Sequence, residues 1–474
     1  MAEVGLIGLG VMGYSLALNI ASKGYKLHVF NRTSLKTKRL VDEDQRIIAH
    51  YSVQDLVQGI CESPRVIVLM VTSGEATDEF LDELEKHLGP KDVVIDGGNS
   101  SFKDTVRRGA HKFGFVGCGI SGGEAGARNG PSIMAGCSKQ VWDVIGEFLC
   151  TIAAVGVATD KPCCKRLGND GAGHYVKMVH NGIEYADMGI LSEIYLVMKS
   201  LRYSNEEISR VFCEWNEGEL ESYLVKICSL IMNVKNAKGW IVDQIVDKSG
   251  QKGTGMEAVI SAMETGTPVV SIMEAIGSRM VSNVRDLRQE FSRKLMNGSN
   301  DAKMHESECI NANLHKESLS KETMRRCVYL ARMVSHMQGF MMLMKAKVKY
   351  GWEYTVEDIC DVWSNGCILR GRILDVIKEM GDSNEVMELS SKYVSLCNEY
   401  LIDLRKVMVY GVENEVPMPV ISSCLEYVYG MKKVEGAGSM IQAMRDYFGA
   451  HQVLLKGGSE YVHIDWDGKD ANMN

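Results

Sequence analysis

The stretch Val4-Gly5-Leu6-Ile7-Gly8-Leu9-Gly10-Val11-Met12-Gly13 decides how the first part of this chain folds. Val4 to Ile7 form a buried-strand run, and Gly8, Gly10 and Gly13 follow at the G-x-G-x-x-G spacing, opening an amphipathic segment over residues 14–23 that stops at Gly24. With 47 Gly in 474 residues such a spacing can arise by chance, so its position carries the meaning. Strand, tight turn and helix in that order aim backbone N–H groups and a helix N-terminus at a pyrophosphate. Gly8, Gly10, Val11, Met12 and Gly13 are therefore expected to hold a dinucleotide. The next strand-like run ends at Phe30-Asn31-Arg32-Thr33. An NAD site usually places Asp or Glu near there for the ribose 2′-hydroxyl, whereas Arg32 between Asn31 and Thr33 suits a 2′-phosphate. NADP is the expected coenzyme, although an arginine in a solvated turn would look the same.

Outward from that motif, the runs VGLIGLG, YKLHVF, RVIVLMV, DVVIDGG and FGFVGCGI are strand-like. They alternate with helix-like segments at 14–23, 75–87, 102–111 and 140–151, which predicts a parallel α/β sheet. From about Ala172 onward the period is helical and strand signals nearly vanish. The fold class expected is an N-terminal α/β Rossmann-like domain (1–172), a large all-α domain for substrate and dimerisation (173–434) and a C-terminal tail (435–474). The polar stretch 297–317 reads as a solvated loop.

Composition narrows the class. At 45% apolar and 24% charged, the chain is ordinary globular protein. No run of about 18 apolar residues suggests a membrane span, and the N-terminus has strand pattern instead of a signal core; a cytoplasmic protein is expected. A net charge of −8 argues against a general nucleic-acid surface. The 14 Cys show no CxxC pair and the 11 His no HExxH, so no metal site is expected.

The second decisive stretch is KMVHNGIEY. Lys177, His180, Asn181 and Glu184 stand at i, i+3, i+4 and i+7 inside an apolar run, so on a helix they share one face. A solvated Lys–Glu face with a satisfied histidine would have this spacing too. If the face is buried, its polar groups need partners, and an amine of lowered pKa with a carboxyl of raised pKa is the equipment of proton transfer. Glycine-rich loops close two strands, at Asp96-Gly97-Gly98-Asn99 and at Gly119 to Ala127, where open α/β sheets bind ligands. Asn99 and Ser121 offer polar groups there. The loop Gly250-Gln251-Lys252-Gly253-Thr254-Gly255 has chemistry suited to phosphate but lacks the Walker pattern.

Taken in order, GLGVMG with NRT, GGNSSFKDTVRRG, GISGGEAGARNGPS, GAGHYVKMVHNGIEYADM, SGQKGTG and RDYFGAH make the chain resemble, over nearly its whole length, the 6-phosphogluconate dehydrogenases of the β-hydroxyacid dehydrogenase superfamily. The resemblance implies a cytosolic homodimer of the oxidative pentose phosphate pathway, in gluconate utilization. Such an enzyme converts 6-phospho-D-gluconate and NADP⁺ to ribulose 5-phosphate, CO₂ and NADPH without metal. It implies Lys177 as general base and Glu184 as the acid that protonates C1. Asn99, Ser121, Gly122, Gly123, His180 and Asn181 would contact substrate, and Tyr185, Lys252, Thr254 and Arg279 its phosphate. Arg445 and His451 would enter the partner's site. Val71, Thr72, Ser73 and Asn99 would line the coenzyme, with Asn31, Arg32 and Thr33. Some residues depart from the pattern: Thr72-Ser73 for Lys-Ala, Met256-Glu257 for Lys-Trp, Ala135 and Cys137 for Pro and Gly, and Ser364-Asn365 for Arg-Gly. Two other readings stay open, a shorter-type β-hydroxyacid dehydrogenase and a catalytically weak NADPH-binding or scaffold protein.

Overall fold

The computed structural model describes residues 2–251, 253–298, 319–381 and 389–466. Lys252 and most of the stretch 297–317 lie outside them; residues 297 and 298 end the helix Arg285–Gly298.

Eight strands form one sheet: β1 (Glu3–Ile7), β2 (Lys26–Phe30), β3 (Ile47–His50), β4 (Val66–Leu69), β5 (Val93–Asp96), β6 (Gly114–Ser121), β7 (Ser132–Gly136) and β8 (Cys164–Gly168). The helices that cross between them are α1 (Val11–Ser22), α2 (Ser34–Glu43), α3 (Val53–Gly59), α4 (Glu75–Glu85), α5 (Phe102–Arg108), α6 (Gly123–Asn129) and α7 (Lys139–Ile152). The order is β3-β2-β1-β4-β5-β6-β7-β8. The strand order changes its direction of progress between β1 and β4, which run parallel, and this opens a crevice beyond the carboxyl ends of those strands. Core residues lie on both faces, Leu16, Ile20 and Leu149 on one and Leu56, Phe80 and Leu84 on the other. Both faces being covered is what continuous apolar strands such as Val66–Leu69 require.

The expectation of a parallel sheet needs one correction. β7 runs antiparallel to β6, in register Gly117↔Gly136 to Ser121↔Ser132, and β8 pairs parallel to β7. Only residues 122–131 join β6 to β7, and a parallel crossover takes a dozen or more. The strands β3, β7 and β8 lie outside the strand-like runs read from sequence.

After the sheet comes α8 (Ala172–Ser200), the long helix that carries the polar face. It lies against β6 and β7 because glycines meet there: a Cβ on Gly119 would fall 2.5 Å from the Lys177 Cβ, and one on Gly173 would fall 2.3 Å from the Met134 carbonyl oxygen. The other side of α8 packs on the helix Lys321–Tyr350, which in turn packs on Ser391–Glu413. There Arg332 donates to Asp187 Oδ2 from Nε at 3.1 Å and from Nη2 at 2.9 Å, both side chains fully buried. The helices Thr254–Thr265 and Val270–Asn283 pack on α8 as well.

Two compact units divide the chain, Met1–Cys424 and Leu425–Asn474. Within the second, the helix Gly438–Gly449 precedes a short hairpin of Val453–Leu454 with Tyr461–Val462. Asp446 organises it, accepting from the backbone N–H groups of Gln452 and Ile464, from Trp466 Nε1 and from His463 Nδ1 at 2.7–2.9 Å.

Candidate active site

On the polar face of α8 Lys177 and His180 are buried, and Asn181 and Glu184 are half-buried. Lys177 is 8% exposed and His180 not at all, so the solvated alternative does not hold for them. Lys177 Nζ donates to Ser121 Oγ at 3.0 Å, and Ser121 Oγ lies 3.4 Å from His180 Nε2. On its other side His180 Nδ1 lies 3.2 Å from Asn181 Oδ1, and Asn181 Nδ2 donates to Thr254 Oγ1 at 3.0 Å. One direction of donation satisfies the whole chain: Lys177 to Ser121, Ser121 to His180 Nε2, His180 Nδ1–H to Asn181 and Asn181 to Thr254. Ser121 thus accepts a hydrogen bond from one Lys177 N–H.

Burial sets the protonation states. The Lys177 pKa is lowered by desolvation of the ammonium, against the opposing fields of Glu184 and the Cys367 thiol. Glu184 is raised by desolvation, partly offset by Lys177 and Arg279. Burial and the Lys177 charge hold His180 well below its ordinary value, so the 3.7 Å approach of its Nδ1 to Glu184 Oε2 is a contact of a neutral ring. Two turns of helix set Lys177 and Glu184 ~10 Å apart. An amine shifted down and a carboxyl shifted up at that separation can serve two different atoms of one small substrate.

Other candidate groups converge on this face. Ser121 ends β6, and Gly122 and Gly123 follow with φ of +112° and +62°, which glycine alone adopts readily. A Cβ at Gly122 would lie 2.3 Å from the Gly366 carbonyl oxygen. The divergent Ser364-Asn365 turn is thereby placed behind this loop, pinned by Asn365 Nδ2 donating to the Val155 carbonyl at 2.9 Å. The Arg279 guanidinium stacks 3.6 Å from the centre of the Tyr185 ring and donates to the Gly250 carbonyl at 3.1 Å. Gly255 leaves room for that ring, since a Cβ there would lie 2.7 Å from it. Thr254, Tyr185 and Arg279 therefore stand together, with the divergent Met256 and Glu257 just inside the helix Thr254–Thr265. Ala135 and Cys137 belong to the buried sheet core.

At the crevice, Gly8 takes φ +101°, and a Cβ on Gly13 would lie 2.0 Å from the Gly8 carbonyl oxygen, so α1 seats directly on the turn. The space over Gly10 is open, and the first-turn N–H groups at Val11, Met12 and Gly13 lead into it. That cradle fits a pyrophosphate. Asn31 Oδ1 accepts from Leu9 N at 2.9 Å, tying β2 to the same turn, and Thr33 precedes α2. Arg32 is exposed; it pairs with Glu79 and lies 4.9 Å from the Phe80 ring centre. Thr72, Ser73 and Asn99 are exposed around the crevice, beside Val71.

The second unit holds Arg445 and His451. Arg445 Nη1 donates to Gln442 Oε1 at 3.0 Å, and the His451 carbonyl accepts from Gln442 at 3.3 Å. Reading the sequence missed a buried polar set beside the site: Asp96, Thr105, Arg108 and His174. The signal was faint, a second histidine three residues before Lys177 and an Arg107-Arg108 pair in the helix-like segment that ends the motif GGNSSFKDTVRRG. Among the described residues no group of three or more His, Cys, Asp or Glu side chains is placed to hold a metal ion.

Comparisons with known proteins agree with one another. Residues 3–168 match the family described as the NAD binding domain of 6-phosphogluconate dehydrogenase, and residues 173–466 match the 6-phosphogluconate dehydrogenase C-terminal domain. The chain is 38% identical to the decarboxylating 6-phosphogluconate dehydrogenase of Klebsiella pneumoniae, over 98% of this chain and 99% of that one. It is 39% identical to the Staphylococcus aureus (strain N315) enzyme of the same name, over 98% and 99%. Among solved structures, Plasmodium falciparum 6-phosphogluconate dehydrogenase, studied in its apo form and with NADP⁺ or 6-phosphogluconate, is similar at a TM-score of 0.90 and 33% identity, over 98% of this chain and 100% of that one.

Proposed function

The chain belongs to the 6-phosphogluconate dehydrogenase family, and from that premise we propose that its buried helix face carries out the oxidative decarboxylation of 6-phospho-D-gluconate to D-ribulose 5-phosphate and CO₂ with reduction of NADP⁺. The observation that carries the residue assignment is the pairing on α8 of a buried amine shifted down with a half-buried carboxyl shifted up. Neutral Lys177 takes the C3-hydroxyl proton, steered by the Ser121 contact that occupies one of its own N–H groups. Bound NADP⁺ supplies the hydride acceptor for C3. With a ketone at C3 the carboxylate leaves as CO₂, and Lys177 returns its proton to the C3 oxygen as the enediol forms. Glu184 then protonates C1 of the product while Lys177 recovers the enediol proton, which later resets Glu184. No net proton is released.

The other site residues complete the proposal. Ser121, Gly122, Gly123, His180, Asn181 and Asn99 would hold the sugar acid. Tyr185, Thr254 and Arg279 would hold its phosphate, joined by Lys252. The first-turn N–H groups of α1 would hold the pyrophosphate, and Arg32, once released from Glu79, the 2′-phosphate. With 6-phosphogluconate and NADP⁺, NADPH absorbance and released CO₂ are expected to rise one for one. Turnover of 3-hydroxyisobutyrate in place of phosphogluconate, or NADPH without CO₂, would overturn this reading.

The protein acts in this proposal as a cytoplasmic homodimer; no described helix is long and apolar enough to cross a membrane. Its tail presents Met440, Ile441, Tyr447 and Phe448 more than half exposed on a short helix, and Arg445 has a single hydrogen-bond partner among the described residues. In the partner's site Arg445 and His451 would contribute to phosphate binding. Mixing inactive Lys177→Ala and Arg445→Ala dimers tests this, because a heterodimer confines both lesions to one site. Activity is expected to return to about a quarter of the wild-type site count for random pairing in a C₂ dimer. Verified heterodimers without activity would refute tail exchange.

A further inference from the structure

Arg108 has no part in the reaction as described above, yet it lies at the C-terminal end of α5 with 1% of its surface exposed. A guanidinium withdrawn from water needs acceptors for its N–H groups, and these come from two separate stretches, the start of α4 with the loop before it and the end of β5 with the loop after it. Nε donates to Asp78 Oδ1 at 2.8 Å, and Nη2 to the Gly74 carbonyl at 3.0 Å. Nη1 donates to Ser100 Oγ at 2.9 Å and lies 3.3 Å from Asp96 Oδ2. Gly74 and Asp78 hold the loop of Val71, Thr72 and Ser73 on the coenzyme side, and Asp96 and Ser100 bracket the loop that carries Asn99.

Asp96 also fixes its own loop from within, accepting from Gly98 N at 3.0 Å and from Ser100 Oγ at 2.6 Å. The two loops touch, for a Cβ on Gly98 would lie 3.1 Å from the Val71 carbonyl oxygen. From the same helix α5, Thr105 Oγ1 lies 2.6 Å from Nδ1 of His174, one turn before Lys177 on α8. The planar fork of one arginine thus spans both loops, and its helix is bonded to the element bearing the base. Lysine, a single point charge, could not reproduce that span.

We infer that Arg108 is a positioning residue, which fixes the coenzyme loop against the Asn99 loop and both against Lys177, and so sets the geometry of hydride transfer. The inference rests on the functional reading given above. Its test uses full-length Arg108→Met and Arg108→Lys, with three readouts: NADP⁺ Kd by fluorescence titration, amide hydrogen exchange over residues 72–78 and 96–100, and the isotope effect with substrate deuterated at C3. Arg108→Met is expected to raise Kd modestly, speed exchange in both segments, lower kcat roughly 10- to 100-fold and enlarge the isotope effect, because the hydride step becomes slower than the others. Arg108→Lys should fall between it and the wild type. A merely fragile protein would lose active molecules without changing the isotope effect. If the Arg108 variants fail to fold, Ser100→Ala and Asp78→Ala each remove one acceptor and should show the same pattern in smaller measure. Folded variants with wild-type exchange, or with loosened loops and an unchanged isotope effect, would overturn the inference. A wild-type protein unable to oxidise 6-phosphogluconate would overturn the functional reading instead.

Discussion

Lys177→Ala is expected to reduce kcat for NADPH formation by roughly 10²- to 10⁴-fold, the range for loss of a positioned general base, while leaving the fold intact. The reason lies in the burial that makes Lys177 useful. Desolvation disfavours its ammonium, and its side-chain hydrogen bond goes to the Ser121 hydroxyl, so truncating it does not strip a buried carboxylate of an ion-pair partner. Ser121 loses a donor but keeps its own donation to His180. The thermal midpoint should therefore stay near the wild-type value while activity collapses. The pH profile is a second check: with its pKa lowered, Lys177 becomes competent at lower pH than a free lysine, and kcat/KM should rise as pH climbs through that value. In Lys177→Ala this acid limb should vanish from the residual rate. Variants that keep more than about a tenth of wild-type kcat would exclude Lys177 as the base.

Glu184→Ala should act later in the sequence of steps. Oxidation needs the amine, whereas protonation of C1 follows decarboxylation, so NADPH should still appear in the first turnover while ribulose 5-phosphate formation slows by about 10²-fold. Burial raises the Glu184 pKa, so its acid form survives to higher pH than an ordinary carboxyl. Loss of product formation at alkaline pH should accordingly follow deprotonation of Glu184, with kcat falling as pH rises through its pKa. In Glu184→Gln the alkaline limb should disappear at a uniformly low rate. Full steady-state turnover by Glu184→Ala, measured as ribulose 5-phosphate, would remove the residue from the mechanism.

The sequence by itself determined the N-terminal Rossmann unit, because a glycine turn between a buried strand and an amphipathic helix has few other uses, and each of its signals spans only a few residues. The period-3.6 pattern after Ala172 determined the helical part for the same local reason, and the i, i+3, i+4, i+7 polar face named the site's centre before any packing was known. Tertiary structure decided what depends on groups distant in the chain. Whether Lys177 was solvated or buried turned on Gly119 and Gly173 letting α8 sink onto the sheet. The reversed direction of β7 turned on a connection too short for a crossover. The divergent Ser364-Asn365 turn gained meaning only where it met the back of the Gly122 loop, and Arg108 only where Asp78, Asp96 and Ser100 closed around it. Local periodicity records which face of an element avoids water. Desolvation and hydrogen-bond satisfaction depend on the neighbours that folding brings, and those give a buried polar residue its role.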